Sequence, residues 1–321
     1  MSTRFFPVTV LAATIFLIGL SASAINPYRG IVAIDGLHMS NSAFAVVSFV
    51  SSLGTAIVSL LLGHFADRVP DRRLGVLMCA AFAASAYTLV FWVPSQTSYI
   101  VAFCVILPFG GALFSQTFSF SRAYLDREDR RHSEFMMSVL RTLFSFSWVV
   151  APAIVGWVAN RFSVFDVFGA AATAQILLMV VFGSLFLRTD TKVGAAKAVP
   201  LDLEGGSLLP EGRVIGIFGV TLLRVSIFLH LMGIPLVLIH NFHGNLADVS
   251  LNAAICAGLE IPFMLAWGWA AVRFGKELVI IASAIIYAIY LCLIYFARSV
   301  GDVLWLQGIN AIGTAALVSI P

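Results

Sequence analysis

Three charged side chains fall inside long apolar segments of the sequence: Arg141, Arg224 and Glu260. A charge at the centre of a membrane-spanning helix costs about 2.5–3.5 kcal/mol, so each of them needs a partner or a water-filled cavity. Glu260 could bind and release protons, accept a hydrogen bond from a substrate, or form a structural ion pair with Arg224 at a similar depth. Arg141 could contact a substrate or a gate, or extend towards the cytoplasmic headgroups. All three are therefore candidates for a substrate or proton pathway.

Amide and aromatic side chains within the segments could bind a hydroxylated ligand, because amides pair with hydroxyls and aromatic faces stack on sugar rings. Tryptophan is common at the lipid interface, but Trp148 lies two helical turns after Arg141 on the same helix face. Asn26-Pro27 predicts a break in the first helix that frees backbone groups for a cavity. The candidates are Asn26, Gln116, Trp148, Trp267 and Asn310.

Motifs of the common enzyme classes are missing from the sequence. It contains no GxxxxGK[ST], HExxH or GxSxG pattern, so neither nucleotide hydrolysis nor hydrolytic catalysis is predicted. His240 and His243 have no neighbouring cysteine or carboxylate cluster, which disfavours a metal site. The four cysteines stand in apolar runs without a CxxC pair and are interpreted as small buried side chains. We expect no cofactor. A membrane enzyme acting on lipid-linked substrates would need a catalytic cluster at one membrane face, and none is visible.

The elements that position these residues are predicted from composition and from the apolar runs. The chain has 321 residues, is 60% hydrophobic and 11% charged, and has a mean hydropathy of +0.99. A typical soluble domain is about 25% charged, so a soluble or disordered chain is excluded. Continuous runs of about 20 apolar residues predict an all-α membrane bundle, not a β-barrel. Nine runs lie near 7–34, 42–65, 74–93, 98–121, 135–159, 164–187, 214–240, 249–271 and 277–297, and a tenth starts near Leu304.

The topology is predicted from the basic residues. The first run resembles a cleavable signal peptide, but its apolar character resumes after Pro27, so we expect it to be retained. With the N-terminus in the cytoplasm, most of the 19 lysines and arginines lie in cytoplasmic connections. Only Arg29, Arg161 and Arg298 then lie on the opposite side, where Arg29 is interpreted as an interfacial residue.

The chain is predicted to consist of two halves. Residues 1–188 hold six segments, 189–212 form a polar cytoplasmic loop, and 213–321 hold about three and a half further helices. Gly63 and Arg68 after the second segment recur, at the same spacing, as Gly268 and Arg273 after the eighth. This recurrence predicts a parallel repeat of two six-helix halves, with the last two helices missing.

The connection at 63–73 reads GHFADRVPDRR. An acid beside arginines at a cytoplasmic helix end can form a charge cluster that stabilises one conformation. The stretch resembles the loop signature G-x-x-x-D-R-x-G-R-R of the major facilitator superfamily, with a proline at the second glycine and the arginine pair displaced by one residue. The resemblance implies a conformational gating loop built from Gly63, Asp67, Arg68, Arg72, Arg73, Gly268 and Arg273.

Three patches, at 57–73, 140–152 and 258–276, resemble the sugar efflux branch of that superfamily. Ala151-Pro152 with Gly156 also resembles the proline-glycine pattern of its antiporters. The resemblance implies a secondary transporter that exports sugars or related glycosides across the bacterial cytoplasmic membrane in exchange for protons. Its halves would rock around a cavity at the bilayer midplane.

The expected partners are a sugar, protons and the lipid bilayer, with no nucleic acid, and the protein is expected to be a monomer. Two alternatives remain at the level of sequence. One is a facilitator efflux pump for other small molecules such as drugs, and the other is a truncated membrane protein without transport activity, for example a sensor.

Overall fold

The computed structural model describes residues 2–66, 70–128, 130–194 and 211–319, and the regular structure in these ranges is helical. Nine of the helical segments are long and apolar enough to span a membrane. The predicted all-α fold is thus confirmed, and each predicted run coincides with a helix. We number them α1 Ser2–Ile25, α2 Asn41–Ala66, α3 Arg72–Trp92, α4 Gln96–Glu128, α5 Arg130–Arg161, α6 Asp166–Gly183, α7 Glu211–His240, α8 Leu246–Phe274, α9 Lys276–Ile294 and α10 Val300–Ser319.

Side chains at the helix starts satisfy backbone amides that have no partner within the helix. At α8, Asn245 Oδ1 accepts from the amide of Ala247 at 2.8 Å, and the Asp248 carboxylate accepts from the amide of Asn245 at 2.8 Å. Ser299 and Asp302 form the same reciprocal arrangement at α10. These are capping boxes, which fix where each helix begins after a polar connection.

Two helices are interrupted at the prolines that remove an amide donor. After α1 the residues 26–28 form a turn, followed by a helical turn Arg29–Ile31 and a π-turn Val32–Gly36. This is the break predicted at Asn26-Pro27. Within α4 a π-turn Ala102–Ile106 precedes Pro108. The connection between α8 and α9 is a single residue, Gly275, whose φ of 91° is a conformation that favours glycine.

Contacts divide the described chain into two compact units. The first contains residues 2–194 together with 245–258, and the second contains 211–244 and 259–319. The predicted division into 1–188, 189–212 and 213–321 stays a prediction, because most of the central stretch lies outside the described residues.

The first unit packs α1 against α5 and α6, and α3 against α4 and α6. A Cβ on Gly19 of α1 would lie 1.9 Å from Ser147 Oγ of α5, so these helices approach more closely than any larger residue allows. Gly110 of α4 does the same against Ala83 of α3, at 2.9 Å. Small residues at crossings are how membrane helices gain van der Waals contact.

The second unit packs α9 against α10. Tyr287, Tyr290 and Leu317 form its buried centre, and a Cβ on Gly313 would lie 2.8 Å from the backbone nitrogen of Tyr287. The interpretation of the cysteines as buried side chains is confirmed for Cys79, but it is wrong for Cys292, which points away from this packed centre and is exposed.

Candidate functional site

One face of α10 carries three buried polar side chains, Gln307, Asn310 and Thr314, which are 0%, 4% and 5% exposed. Their spacing of three and four residues places them in one row along the helix. Burying polar groups costs free energy unless they are hydrogen-bonded. The row therefore needs partners from other helices, and it finds them on α7, α8 and α9.

At one end of the row, the Thr314 hydroxyl meets Glu260 of α8. Thr314 Oγ1 lies 2.5 Å from Glu260 Oε1 and 2.9 Å from the backbone carbonyl oxygen of Asn310. Glu260 is half-buried. The predicted candidates Glu260 and Asn310 thus belong to one connected group, whereas Arg224 lies exposed on α7.

At the other end, the row continues to α9 and α7. Asn310 Nδ2 donates to Gln307 Oε1 at 2.8 Å, and Gln307 Nε2 donates to the Tyr290 hydroxyl oxygen at 3.2 Å. The Tyr290 hydroxyl lies 3.0 Å from His230 Nε2. Since Gln307 donates to the Tyr290 oxygen, the hydroxyl proton is available for His230. We call these six side chains, from Glu260 through α10 to His230, the polar ladder.

The predicted stacking candidate Trp267 contacts the same helix. Its indole Nε1 donates to the carbonyl oxygen of Ile312 at 2.8 Å, so this nitrogen holds α8 to α10. That contact places Trp267 next to the polar ladder as a packing residue.

A cavity of about 570 Å³ lies in the first unit, between α2, α4 and the start of α3. Three predicted site residues, Gly63, Arg72 and Gln116, line it. Arg72 Nη1 donates to Ser119 Oγ at 3.2 Å. Hydroxyl, amide and guanidinium groups in one wall are suited to a ligand with many hydroxyls. The lining residues are Ala56, Ser59, Leu60, Gly63, Arg72, Ser115, Gln116 and Ser119.

Arg73, the last arginine of the predicted gating loop, is bonded to the segment that follows α6. Arg73 forms an ion pair with Asp71 at 2.7 Å and donates to the carbonyl oxygens of Leu185 and Arg188 at 2.8 and 2.9 Å. It also donates to Thr191 Oγ1 at 2.9 Å. Arg73 therefore joins the start of α3 to the segment after α6.

Asp71 is both the N-cap of α3 and the partner of Arg73. Its burial opposes ionisation, but the side-chain and backbone hydrogen bonds from Arg73 and the charge of Arg73 together outweigh burial and hold the pKa of Asp71 below its usual value. Asp67 and Arg68 of the predicted gate lie outside the described residues. Gly268 is exposed on α8, and the guanidinium of Arg273 lies 5.5 Å from the ring centre of Trp269.

The α5 candidates lie in the first unit. Arg141 is exposed, and Trp148 is half-buried with its indole nitrogen buried and without an acceptor among the described residues. A buried donor without a partner is unfavourable, so a ligand or water is expected there. Asn26 is half-buried in the turn after α1, and its backbone N–H donates to the carbonyl oxygen of Ala22 at 3.0 Å.

Arg29 differs from its interpretation as an interfacial residue. It is 8% exposed, and its guanidinium lies 4.5 Å from the ring centre of Phe103. Tyr99 donates to the carbonyl oxygen of Arg29 at 3.2 Å. The sequence interpretation was wrong because the break after α1 turns the residue inward, where aromatic faces attract the cation.

Tyr28, the residue before Arg29, holds the start of α8 within the first unit. The Tyr28 hydroxyl hydrogen-bonds Ser250 Oγ and lies 3.3 Å from the carbonyl oxygen of Leu246. A Cβ on Gly156 of α5 would lie 1.6 Å from Ser250 Oγ, so the contact exists because residue 156 has no side chain. We call Tyr28, Gly156 and Ser250 the α8 latch.

The family model of the Major Facilitator Superfamily matches residues 11–219. The chain belongs to the major facilitator superfamily. This membership confirms the predicted family and the prediction of a multi-pass membrane transporter rather than an enzyme.

The alignments of this facilitator with its relatives cover nearly the whole of its length. A proposed sugar efflux transporter of Deinococcus radiodurans is 28% identical, with 97% of this chain and 80% of that protein covered. Sugar efflux transporter B of Salmonella typhimurium is 27% identical over 95% of this chain and 76% of that protein. Sugar efflux transporter C of Escherichia coli is 25% identical over 95% and 77%. The predicted similarity to the sugar efflux branch is thus confirmed.

Solved structures of two other transporters are similar in fold to this chain. The crystal structure of the nucleoside transporter NupG has a TM-score of 0.78 at 13% identity, with 97% of this chain and 80% of that chain covered. A crystal structure of the peptide transporter POT in complex with alafosfalin has a TM-score of 0.69 at 13% identity, with 98% and 80% covered.

Sequence reasoning missed five residues of this facilitator's polar contacts: His230, Tyr290, Gln307, Thr314 and Ser250. The spacing of Gln307, Asn310 and Thr314 is a signal that could have found the row on α10. The other partners are contributed by helices far apart in sequence, so no local pattern marks them.

Proposed function

We propose that this facilitator exports sugars or related glycosides from the bacterial cytoplasm, in exchange for protons that move inward. The observation that carries the proposal is the similarity to sugar efflux transporters along 95–97% of the chain. The protein acts as a monomer in the cytoplasmic membrane. Its N-terminus lies on the cytoplasmic side, because most lysines and arginines then face the cytoplasm.

The candidate substrate contacts of each unit are uncharged hydrogen-bonding groups. In the first unit, Gln116 and the serines of the cavity supply donors and acceptors, and the Trp148 indole supplies a free donor. In the second unit the candidate is Asn310, whose side-chain amide donates to Gln307 and whose backbone carbonyl oxygen lies 2.9 Å from the Thr314 hydroxyl that contacts Glu260. Sugar hydroxyls both donate and accept hydrogen bonds, so a set of amides and hydroxyls fits them better than a charged or fully apolar surface does.

Arg141 and Arg224 complete the proposed pathway. Both carry their charge on exposed faces of helices within the apolar spans. Intramembrane arginines are tolerated where water or a ligand solvates them. Their role is to attract the hydroxyl oxygens of a passing sugar. The predicted gating loop controls the change between conformations; its charged residues are Asp67, Arg68, Arg72 and Arg73, and it acts with Gly268 and Arg273.

Glu260 exchanges the protons. An ionised carboxylate in a membrane segment is costly, and protonation removes that cost. Thr314 stabilises the ionised form through its hydrogen bond, so both protonation states are accessible. Binding of a proton from outside and its release to the cytoplasm then provide the driving force for sugar export.

The proposal is tested with purified protein in liposomes. Vesicles are preloaded with one of a panel of radiolabelled mono- and disaccharides, and efflux is followed with the interior alkaline, neutral or acidic relative to the medium. We expect at least one saccharide to leave faster when the medium is more acidic than the interior, and Glu260→Gln to abolish that acceleration. Glu277→Gln, an exposed carboxylate at the start of α9, is the matched control.

Three outcomes contradict the proposal. Transport of lipophilic drugs without any saccharide would replace the sugar by the drug alternative. An acceleration by the pH gradient that persists in Glu260→Gln would remove Glu260 from proton exchange. Failure of the protein to move any solute in the panel would favour a membrane protein without transport activity.

A further inference from the structure

We infer that Thr314 is a positioning residue that sets the proton affinity of Glu260 and passes the protonation state of Glu260 to helix α10. The inference rests on the proposed proton exchange. It concerns a residue that neither the family membership nor the sequence resemblance singles out.

The Thr314 hydroxyl has one proton and two acceptors within reach. Glu260 Oε1 lies 2.5 Å from Thr314 Oγ1, and the carbonyl oxygen of Asn310 lies 2.9 Å from it. A hydroxyl donates once and accepts up to twice, so it serves one of these acceptors at a time. The nearer acceptor is the carboxylate. Thr314 therefore donates to Glu260 when the carboxylate is ionised.

Protonation of Glu260 reverses this hydrogen bond. A carboxylic acid has an O–H group, which donates to Thr314 Oγ1. The Thr314 proton then turns to the carbonyl oxygen of Asn310, one helical turn earlier on α10. One proton taken up at Glu260 thus changes the hydrogen bonding of the α10 backbone without moving either helix.

The polar ladder is not itself a path for protons. It continues through the amides of Asn310 and Gln307, and amide groups keep their hydrogens rather than relaying them. His230, at the far end, is reached only through Tyr290 and these amides. The ladder instead holds the side chains of Asn310 and Gln307 in one orientation. The Thr314 proton acts beside them, on the backbone carbonyl oxygen of Asn310.

Other titratable groups lie on the same helices. Cys256 precedes Glu260 by one turn on α8 and is half-buried. In the described part of the second unit, Tyr287 and Tyr290 of α9 are buried and His230 of α7 is half-buried. The remaining charged or titratable side chains described there on α7, α8, α9 and α10 are exposed: Arg224, His240, Arg273, Lys276, Glu277, Cys292 and Asp302.

The inference is tested with a matched pair of substitutions. Thr314→Val keeps the shape and removes the hydroxyl, and Thr314→Ser keeps the hydroxyl and removes a methyl group. The pH dependence of sugar efflux is measured with equal pH on both sides of the liposome membrane. A hydrogen bond to a charged group corresponds to about one to two pH units. We expect the midpoint of the Thr314→Val profile to rise by that amount, because the ionised form has lost its donor.

Controls separate the hydroxyl from packing. Thr314→Ser is expected to leave the midpoint unchanged. Thr221→Val on α7 is a second control, because the Thr221 hydroxyl is exposed and donates to the carbonyl oxygen of Ile217 in its own helix. Should Thr314→Val fail to fold, Thr314→Ala removes the same donor with less bulk. Infrared titration of the carboxylic C=O band that Glu260→Gln abolishes reports the same midpoint without transport.

Each result is decisive. A pH-dependent parent protein whose midpoint is unmoved by Thr314→Val overturns the role of Thr314 and leaves the proposed proton exchange intact. Equal shifts in Thr314→Val and Thr314→Ser assign the effect to packing and also overturn it. A parent protein whose efflux and Glu260 band are both independent of pH overturns proton exchange through Glu260, and the role of Thr314 with it.

Discussion

Substitution of Gly156 by alanine is expected to open the α8 latch, because it places an atom too close to Ser250. Gly156→Ala adds a Cβ that would lie 1.6 Å from Ser250 Oγ and 2.5 Å from Ser250 Cβ. An ordinary contact needs about 3.5 Å, so the start of α8 must move by about 2 Å or the contact must open. Overpacking of this kind costs about 1–3 kcal/mol, which shifts a two-state equilibrium by roughly 5- to 150-fold.

The opening of the latch is measured by cysteine labelling. Val249 is 1% exposed beside Ser250, so Val249→Cys is expected to resist a membrane-impermeant maleimide in the parent protein. Adding Gly156→Ala should raise the labelling rate about tenfold. Gly183→Ala, at a glycine with open space around it, is the control. Unchanged labelling in Gly156→Ala would refute the latch.

Three further predictions concern the first unit. Arg73→Ala should lower the free energy of unfolding by about 3 kcal/mol, measured by denaturation in detergent, because it leaves Asp71 buried without its partner. The pKa of Asp71 is lowered in the folded protein, so the stability that ionised Asp71 contributes is present above pH 3.8 and is lost as the pH falls through the lowered pKa. Asp71→Asn should therefore flatten the acid branch of a profile of melting temperature against pH. Gln116→Ala should raise the KM for sugar several-fold with little change in kcat, and an unchanged KM would remove the cavity from the substrate pathway.

The helices of this protein could be predicted because the signal is local. A membrane segment is a continuous apolar run, and its ends are marked by capping residues such as Asn245 and Ser299. Glu260 was also predictable as a functional candidate, since a carboxylate in an apolar run is costly wherever it points.

The partners of these residues could not be predicted, because contacts between helices depend on rotation and crossing. Thr314 meets Glu260 only because α8 and α10 turn these faces towards each other. Arg29 was placed at the interface by its distance along the chain, whereas the break after α1 directs it onto Phe103 of α4. Ser250 and Gly156 are important because α5 and α8 approach each other closely at these residues, and no local pattern in the sequence indicates that approach.

The exchange of a sugar for a proton is tested most directly by proton movement that a sugar gradient drives. Liposomes containing the protein and a trapped pH-sensitive dye are loaded with a transported sugar and diluted into sugar-free medium at equal pH. Outward sugar movement should acidify the interior in the parent protein and in Glu277→Gln, and should leave the pH constant in Glu260→Gln. Sugar efflux from the parent protein at constant internal pH would contradict the exchange.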